Sequence, residues 1–198
     1  MRILGIESSS LVASVAVVTD GVVTAEYTVN FKKTHSQTLL PMLDEIVRMV
    51  ELDLETVDAI AVSGGPGSFT GLRIGSATGK GLGLALKKPL IHIPTVDGMA
   101  YGMYGYGGLV CPIMDARRNQ VYTGIYDNRE GFTAVREQCA MDIDELVDEL
   151  NNMETRVVFL GDGVPVYSER IAERMTVPFS FAPAHINRQR AAAVAALG

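Results

Sequence analysis

The feature that most restricts this chain is a helix with a glycine at every fourth position. Apolar spacing predicts a helix over residues 69–86, and four glycines fall on one side of it: Gly71, Gly75, Gly79 and Gly83. Glycine inside a helix costs up to about 1 kcal/mol relative to alanine. Four glycines on one ridge therefore imply that another backbone comes close, either from the same chain or from another subunit. We expect the second, a helix–helix docking surface for a partner.

A neighbouring helix supports that expectation. Between Thr34 and Val50 the apolar residues recur at helical spacing and fill an arc of about 180°, whereas a stripe of about 100° is enough for a surface helix. The helix is either sandwiched within its own fold or buried on two sides, against its sheet and against a partner. The second alternative gives a predicted interface drawn from both helices: His35, Leu39, Leu43, Ile46, Val50, Gly71, Gly75, Ser76, Gly79 and Gly83.

The order of predicted elements is repeated along the chain. The first half reads as three strands, a helix, a strand, a helix and a strand, with Asp20-Gly21 as the first hairpin turn. The second half repeats this order more faintly, with strands and one helix in these ranges: 109–114, 120–126, 132–139, 142–151 (the helix) and 156–160. This repetition predicts an α/β fold of two related lobes, each a mixed sheet with flanking helices. Glycines between 102 and 108 mark the predicted boundary between lobes 1–104 and 105–198.

Composition and charge argue against several classes of function. The 198 residues carry 17 basic and 23 acidic side chains, a net charge of −6, and no run of lysine or arginine. Direct binding of nucleic acid needs a basic stripe, so we expect no phosphate-dominated contact with nucleic acid. Cys111 and Cys139 lie far apart without a CxxC pattern, and we expect reduced cysteines and no metal site.

The apolar runs are all too short for a membrane span, which needs about 20 residues. The chain opens with Met1 and reaches an acidic residue, Glu7, within its first strand, which is not the pattern of a secretory or transit leader. We therefore expect a cytoplasmic protein with no membrane partner.

Known nucleotide-binding motifs do not fit the glycine-rich segments. Gly75 to Gly81 resembles a Walker A loop, but it is one residue short and ends in glycine where a magnesium-binding hydroxyl is needed. It also lies inside a predicted helix. No GxGxxG follows the first strand, so we expect no dinucleotide site of the Rossmann type.

Five segments, in the correct order, carry a resemblance to a known family. Residues Gly65 to Gly75 read GPGSFTGLRIG, and this closely resembles the signature of the TsaB (YeaZ) family. The other matching segments are Ile6–Ser9, His35–Ser36, Leu39–Pro41 and Asp115–Arg118 with Val121–Tyr122. The resemblance implies an actin-like fold of the acetate-kinase/Hsp70 type with two related lobes, in agreement with the repeated order of elements.

The resemblance also implies a function and a set of partners. Proteins of this family take part in making threonylcarbamoyladenosine next to the anticodon of tRNA. Within it, TsaB is the non-catalytic dimerising partner of the transferase TsaD, joined by the ATPase TsaE, or it pairs with itself. The implied contact with tRNA is only through the complex. ATP and magnesium are used by the complex, and the resemblance implies no cofactor held by this subunit.

Two departures from the family pattern bear on the expected site. Glu7 stands where relatives more often carry aspartate, which weakens magnesium handling by the first loop. The chain stops at Gly198, where many relatives continue into a tail, so we expect contacts made through that tail to be missing.

An alternative function is an independent ATP-binding phosphotransferase or ATPase of the actin-like superfamily. Its phosphate loops would come from a vestigial nucleotide site with these residues: Glu7, Ser8, Ser9, Asp115 and Arg117. The same residues are also ordinary turn formers at strand ends. A hydrolase is disfavoured, since none of His35, His92 and His185 lies in a nucleophile motif.

Overall fold

The computed structural model describes all residues 1–198, which fold as two units. The first unit comprises Met1–Gly98 together with Gln189–Gly198, and the second comprises Met99–Arg188. The chain thus leaves the first unit once and returns to it at the end.

The first unit is built on a five-stranded mixed sheet in the order β3-β2-β1-β4-β5. Its strands are β1 (Arg2–Glu7), β2 (Val12–Thr19), β3 (Val22–Asn30), β4 (Ala59–Ser63) and β5 (Leu90–Ile93). β1, β2 and β3 form an antiparallel meander, whereas β4 and β5 run parallel to β1. The β2–β3 turn is the predicted Asp20-Gly21, and both residues adopt positive φ, as a tight hairpin requires.

Helices cover both faces of this sheet. They are α1 (His35–Met49), α2 (Phe69–Leu86), α3 (Thr95–Tyr101, which crosses the unit boundary) and α6 (Ala191–Leu197). A 3₁₀ turn, Leu54–Thr56, precedes β4. Because side chains alternate along a strand, Leu4 and Ile6 of β1 face α1 and α2, while Ile3 and Gly5 face α6.

The second unit repeats the topology of the first. Its strands are β6 (Leu109–Arg117), β7 (Gln120–Asp127), β8 (Thr133–Asp142), β9 (Val157–Leu160) and β10 (Phe179–Phe181). The sheet order β8-β7-β6-β9-β10 matches the first sheet strand for strand, again with a meander and two parallel strands. α4 (Ile143–Asn152) and α5 (Val164–Arg174) occupy the sequence positions of α1 and α2. The predicted duplication of a mixed α/β lobe is therefore confirmed.

The predicted boundary between 1–104 and 105–198 is wrong at its C-terminal side. α6 packs on β1, β2 and β4 of the first sheet, so the end of the chain belongs to the first unit. Side chains of that sheet hold its first turn: Ser14 Oγ accepts from the Ala191 N–H at 3.1 Å, and Glu26 Oε1 accepts from the Ala192 N–H at 3.0 Å. Glu26 also forms an ion pair with Arg190. Local composition near 102–108 carries no information about this return.

The two cysteines are free and differ in environment. Cys111 is fully buried on β6, and burial raises the pKa of its thiol to about 12. Cys139 is half-buried on β8. No helix is both long and apolar enough to cross a bilayer.

The packing of α6 predicts the effect of a side chain at Gly5. A Cβ there would overlap the Ala191 carbonyl and lie 2.9 Å from the Ala195 Cβ. We expect Gly5→Ala to lower the free energy of unfolding by roughly 1–3 kcal/mol, the usual cost of overpacking, in urea denaturation followed by circular dichroism. Gly21→Ala is no control, because that position has positive φ; Ala192→Ser at the half-buried start of α6 is one, and should change stability little. Equal stability of Gly5→Ala and the wild type would contradict this packing.

Candidate interaction surface

The glycine ridge of α2 faces the protein's own sheet. A Cβ at Gly71 would overlap the Ser8 carbonyl, and one at Gly75 would overlap Ser8 Oγ. At Gly79 it would lie 2.6 Å from Val62 Cγ1. The prediction that these glycines leave room for another subunit is wrong, because β1, β4 and the loop after β1 already fill that space.

The fourth glycine and the neighbouring Ser76 differ from the other three. A Cβ at Gly83 would lie 3.1 Å from the Lys88 carbonyl, so this glycine also faces its own chain, at the turn that ends α2. Ser76 is half-buried and borders a groove described below. Of the residues predicted on α2, Ser76 alone borders open space.

The residues predicted on α1 are also turned inward. Leu39, Leu43 and Ile46 are buried in the core between α1 and the sheet, and Val50 packs against the same core. His35 is buried, and its Nε2 donates to the Ser10 carbonyl at 2.9 Å. These residues therefore belong to the fold rather than to an exposed interface, which corrects the prediction and favours the sandwiched alternative for this side of α1.

The opposite side of α2 is exposed and partly apolar. It carries five exposed residues at spacings of four, four, three and four, which we call the outer face of α2: Phe69, Arg73, Ala77, Lys80 and Leu84. Phe69 is 69% exposed and Leu84 is 83% exposed. The Arg73 guanidinium carbon lies 3.8 Å from the centre of the Phe69 ring, a cation–π contact. The spacing is visible in the sequence and could have been found by reading the helix from the side opposite its glycines.

The exposed side of α1 has a related composition. Leu40 and Met49 are large apolar side chains open to solvent, and Asp44 and Glu45 lie between them. Asp44 pairs with Arg48 one turn away. Both long helices of the first unit thus present apolar side chains away from the sheet.

A groove runs beside α2, between the helix and the edge of the sheet. Its apolar lining includes Phe69, Leu72 and Leu90, and its charged lining includes Arg73 and Lys80. At one end, the ring of His92 packs directly on Gly64, where a Cβ would overlap the ring. The groove extends the outer face of α2 into a concave apolar surface.

The loop after β1 is closed by the chain itself. Ser9 donates to Glu7 Oε1 through both its N–H and its hydroxyl, each at 2.6 Å. Ser8 Oγ donates to the Gly71 carbonyl at 2.9 Å, and the Ser68 N–H donates to the Ser9 carbonyl at 2.6 Å. Glu7, Ser8 and Ser9 are all buried. The predicted phosphate loop therefore uses its polar groups in contacts within the loop and with the start of α2.

The other two residues of the predicted nucleotide site lie in the second unit, at the β6–β7 turn. Asp115 Oδ1 accepts from the Arg117 N–H at 2.9 Å and from the Tyr167 hydroxyl at 3.1 Å. Burial, followed by this hydrogen bond, raises the pKa of Tyr167. Arg117, Arg118 and Asn119 are three successive residues with φ of 68°, 54° and 62°. Left-handed backbone costs a side-chain-bearing residue roughly 1–2 kcal/mol, so this turn stores strain.

Potential metal ligands do not cluster anywhere along residues 1–198: no three side chains of His, Cys, Asp or Glu converge.

The duplicated sheet order and its helices define the class of protein as an actin-like fold. The polyphosphate/ATP-glucomannokinase of Arthrobacter sp. strain KM aligns with a TM-score of 0.55 at 11% identity, over 98% of this chain and 95% of that enzyme. At this identity the likeness shows the fold alone. YeaZ from Pseudomonas aeruginosa aligns with a TM-score of 0.82 and 26% identity, over 99% of this chain and 89% of that one.

Sequence comparison gives the family. Residues 23–198 match the family model described as TsaD: tRNA N6-adenosine threonylcarbamoyltransferase. The tRNA threonylcarbamoyladenosine biosynthesis protein TsaB of Bacillus subtilis (strain 168) is 33% identical over 175 residues, which cover 87% of this chain and 76% of that protein. The chain belongs to the TsaB (YeaZ) family, as its glycine motif predicted. This membership assigns it to tRNA threonylcarbamoyladenosine biosynthesis.

Two glycines of α2, two residues apart and on opposite sides of the helix, test which side is packed. We expect Gly79→Ala to lower the free energy of unfolding by roughly 1–3 kcal/mol, because the new Cβ meets Val62. Gly81→Ala meets nothing within 4 Å and should raise stability by about 0.5–1 kcal/mol, the ordinary helical gain. Urea denaturation of both variants measures the difference. Equal or reversed effects would mean that the helix is turned the other way.

Proposed function

We propose that this chain is a non-catalytic scaffold subunit that binds and activates the transferase TsaD. The reaction served is threonylcarbamoyl transfer to N6 of the tRNA adenosine next to the anticodon. Membership of the TsaB family supports the pathway, and the matching TsaD family model relates the chain to that enzyme. The observation that carries the scaffold role is the outer face of α2, with its exposed apolar side chains.

The chemistry of this surface fits a protein partner. Soluble proteins rarely leave large apolar groups exposed together unless a partner covers them. Phe69 offers an aromatic anchor, the residue type that dominates binding energy at interfaces. Arg73, held over its ring, is a second favoured type. Leu40 and Met49 on α1 supply apolar area beyond α2.

The closed loop after β1 supports the non-catalytic part of the proposal. Phosphoryl transfer needs donors and a metal-binding acid free to reach the nucleotide phosphates. Here the Ser8 and Ser9 carbonyls are covered by the start of α2, and Glu7 accepts from Ser9. We place the ATP and magnesium requirement with the other members of the complex, including TsaE.

The wider assembly follows from the same proposal. A second copy of the chain would cover the apolar surface when the transferase is absent, giving a homodimer. Contact with tRNA would be made through the complex, and the complex would work in the cytoplasm.

Charges placed on the outer face of α2 test the proposal. Phe69→Glu with Leu84→Glu should weaken binding to the transferase from the same organism at least ten-fold, because two apolar contacts become buried charges. Both positions are exposed, so unfolding should change by less than about 0.5 kcal/mol per substitution. Surface plasmon resonance measures the affinity, and circular dichroism verifies the fold.

The matched control is Val22→Glu, an exposed apolar residue on β3 of the same unit. It should leave the affinity unchanged. Undiminished binding by the α2 variant, or an equal loss with Val22→Glu, would refute docking through α2. Calorimetry of the isolated chain with ATP and magnesium tests the non-catalytic part: micromolar binding with turnover would favour an independent ATPase.

A further inference from the structure

The β6–β7 turn is a feature that the scaffold role leaves unused. We call residues Arg117, Arg118 and Asn119 the arginine turn. All three have left-handed backbone, which glycine adopts freely and asparagine tolerates, but arginine does not favour. The other tight hairpin, at Asp20-Gly21, uses the residue types expected for such a turn. Two arginines in these positions therefore need an explanation outside backbone preference.

Part of the explanation for Arg117 lies in an anchor beneath the turn. Its N–H donates to Asp115 Oδ1 at 2.9 Å, and its guanidinium lies 3.3 Å from Asp115 Oδ2. The Tyr167 hydroxyl, on a buried side chain, donates to the same carboxylate at 3.1 Å. The turn is thereby fixed to the core of the second unit, and its side chains project from a rigid base.

The anchor leaves most of the cationic surface open. The Arg117 side chain is 87% exposed, although one guanidinium nitrogen reaches Asp115. The Arg118 side chain is exposed and has no hydrogen bond or ion pair with the rest of the chain. Nothing in the fold requires an arginine at 118. The turn therefore presents adjacent guanidinium groups to solvent in a chain whose net charge is −6.

We propose that the arginine turn binds the phosphate backbone of tRNA in the assembled complex. The inference rests on the proposed function, which brings tRNA to the complex. Guanidinium groups match phosphate oxygens in geometry as well as charge. A free nucleotide is a poorer occupant, because small ligands bind in concave sites that cover most of their surface and Arg117 is almost fully open. A long polyanion needs only local contacts at each point of its path.

This inference revises the expectation of no direct nucleic-acid contact, which follows from net charge alone. Two arginines cannot hold tRNA against six net negative charges, so the isolated chain should bind it weakly. The contact becomes measurable when the transferase supplies the remaining affinity. The effect therefore has to be sought in the complex.

The test compares tRNA binding by the complex containing the wild-type chain or Arg117→Ala with Arg118→Ala. Filter binding over a range of salt concentrations gives the affinity and its salt slope. We expect the affinity to fall several-fold and the slope of log K against log salt to decrease by about 1–2, one for each phosphate that is no longer neutralised. The lysine double variant, which keeps both charges, should retain most of the slope. Arg129→Ala is the control, since this arginine is already paired with Asp127 and should leave both quantities unchanged.

A second variant separates binding from folding. Arg118→Gly relieves the strained backbone and keeps the Asp115 anchor, so its melting temperature should equal or exceed that of the wild type. Its salt slope should nevertheless fall by about 1. Lower stability with an unchanged slope would show a purely structural arginine and overturn the inference.

The outcomes also separate this inference from the scaffold role. A complex that assembles but binds tRNA with an unchanged slope in the double alanine variant overturns the tRNA contact alone. Failure of the wild-type chain to assemble with the transferase overturns both. ATP binding by the isolated wild-type chain that disappears in the double alanine variant would assign the turn to a free nucleotide and overturn the RNA proposal.

Discussion

Direct contact between the backbone of α2 and the first sheet is the constraint on which the rest of this structure depends. Side chains are missing at Gly71, Gly75 and Gly79, and the helix therefore lies against β1, β4 and the loop between β1 and β2. That approach closes the loop, since Ser8 donates to the Gly71 carbonyl. It also fixes the rotation of the helix, because the packed side determines which residues are left outside. A closed loop and an exposed apolar face are thus two consequences of one contact.

A similar close approach holds the other side of the same sheet. Gly5 lets α6 lie on β1, and Ser14 and Glu26 accept hydrogen bonds from the first turn of that helix. The first unit is therefore completed only by the last ten residues of the chain. Glycines on β1 and on α2 serve the same purpose on opposite faces, which explains why such a short chain can cover both sides of a five-stranded sheet.

Sequence reasoning succeeded where the signal was local. Hydrophobic periodicity and turn chemistry predicted α2 at its observed bounds, and Asp20-Gly21 as a hairpin. The repeated order of elements predicted two similar sheets. It failed where the answer depended on distant residues. Glycine spacing shows that one side of α2 is tightly packed, but it does not show whether that side meets Ser8 or another molecule. Nor does composition near 102–108 reveal the return of α6.

The central claim is that a partner docks on the side of α2 opposite its glycines. Hydroxyl-radical footprinting, with and without the transferase, tests it most directly by reporting the exposure of individual side chains. The account predicts that Phe69 and Leu84 are oxidised in the free chain and protected in the complex, while buried Leu39 and Leu43 stay unreactive in both. Full oxidation of Phe69 and Leu84 in a complex that has demonstrably formed would contradict it.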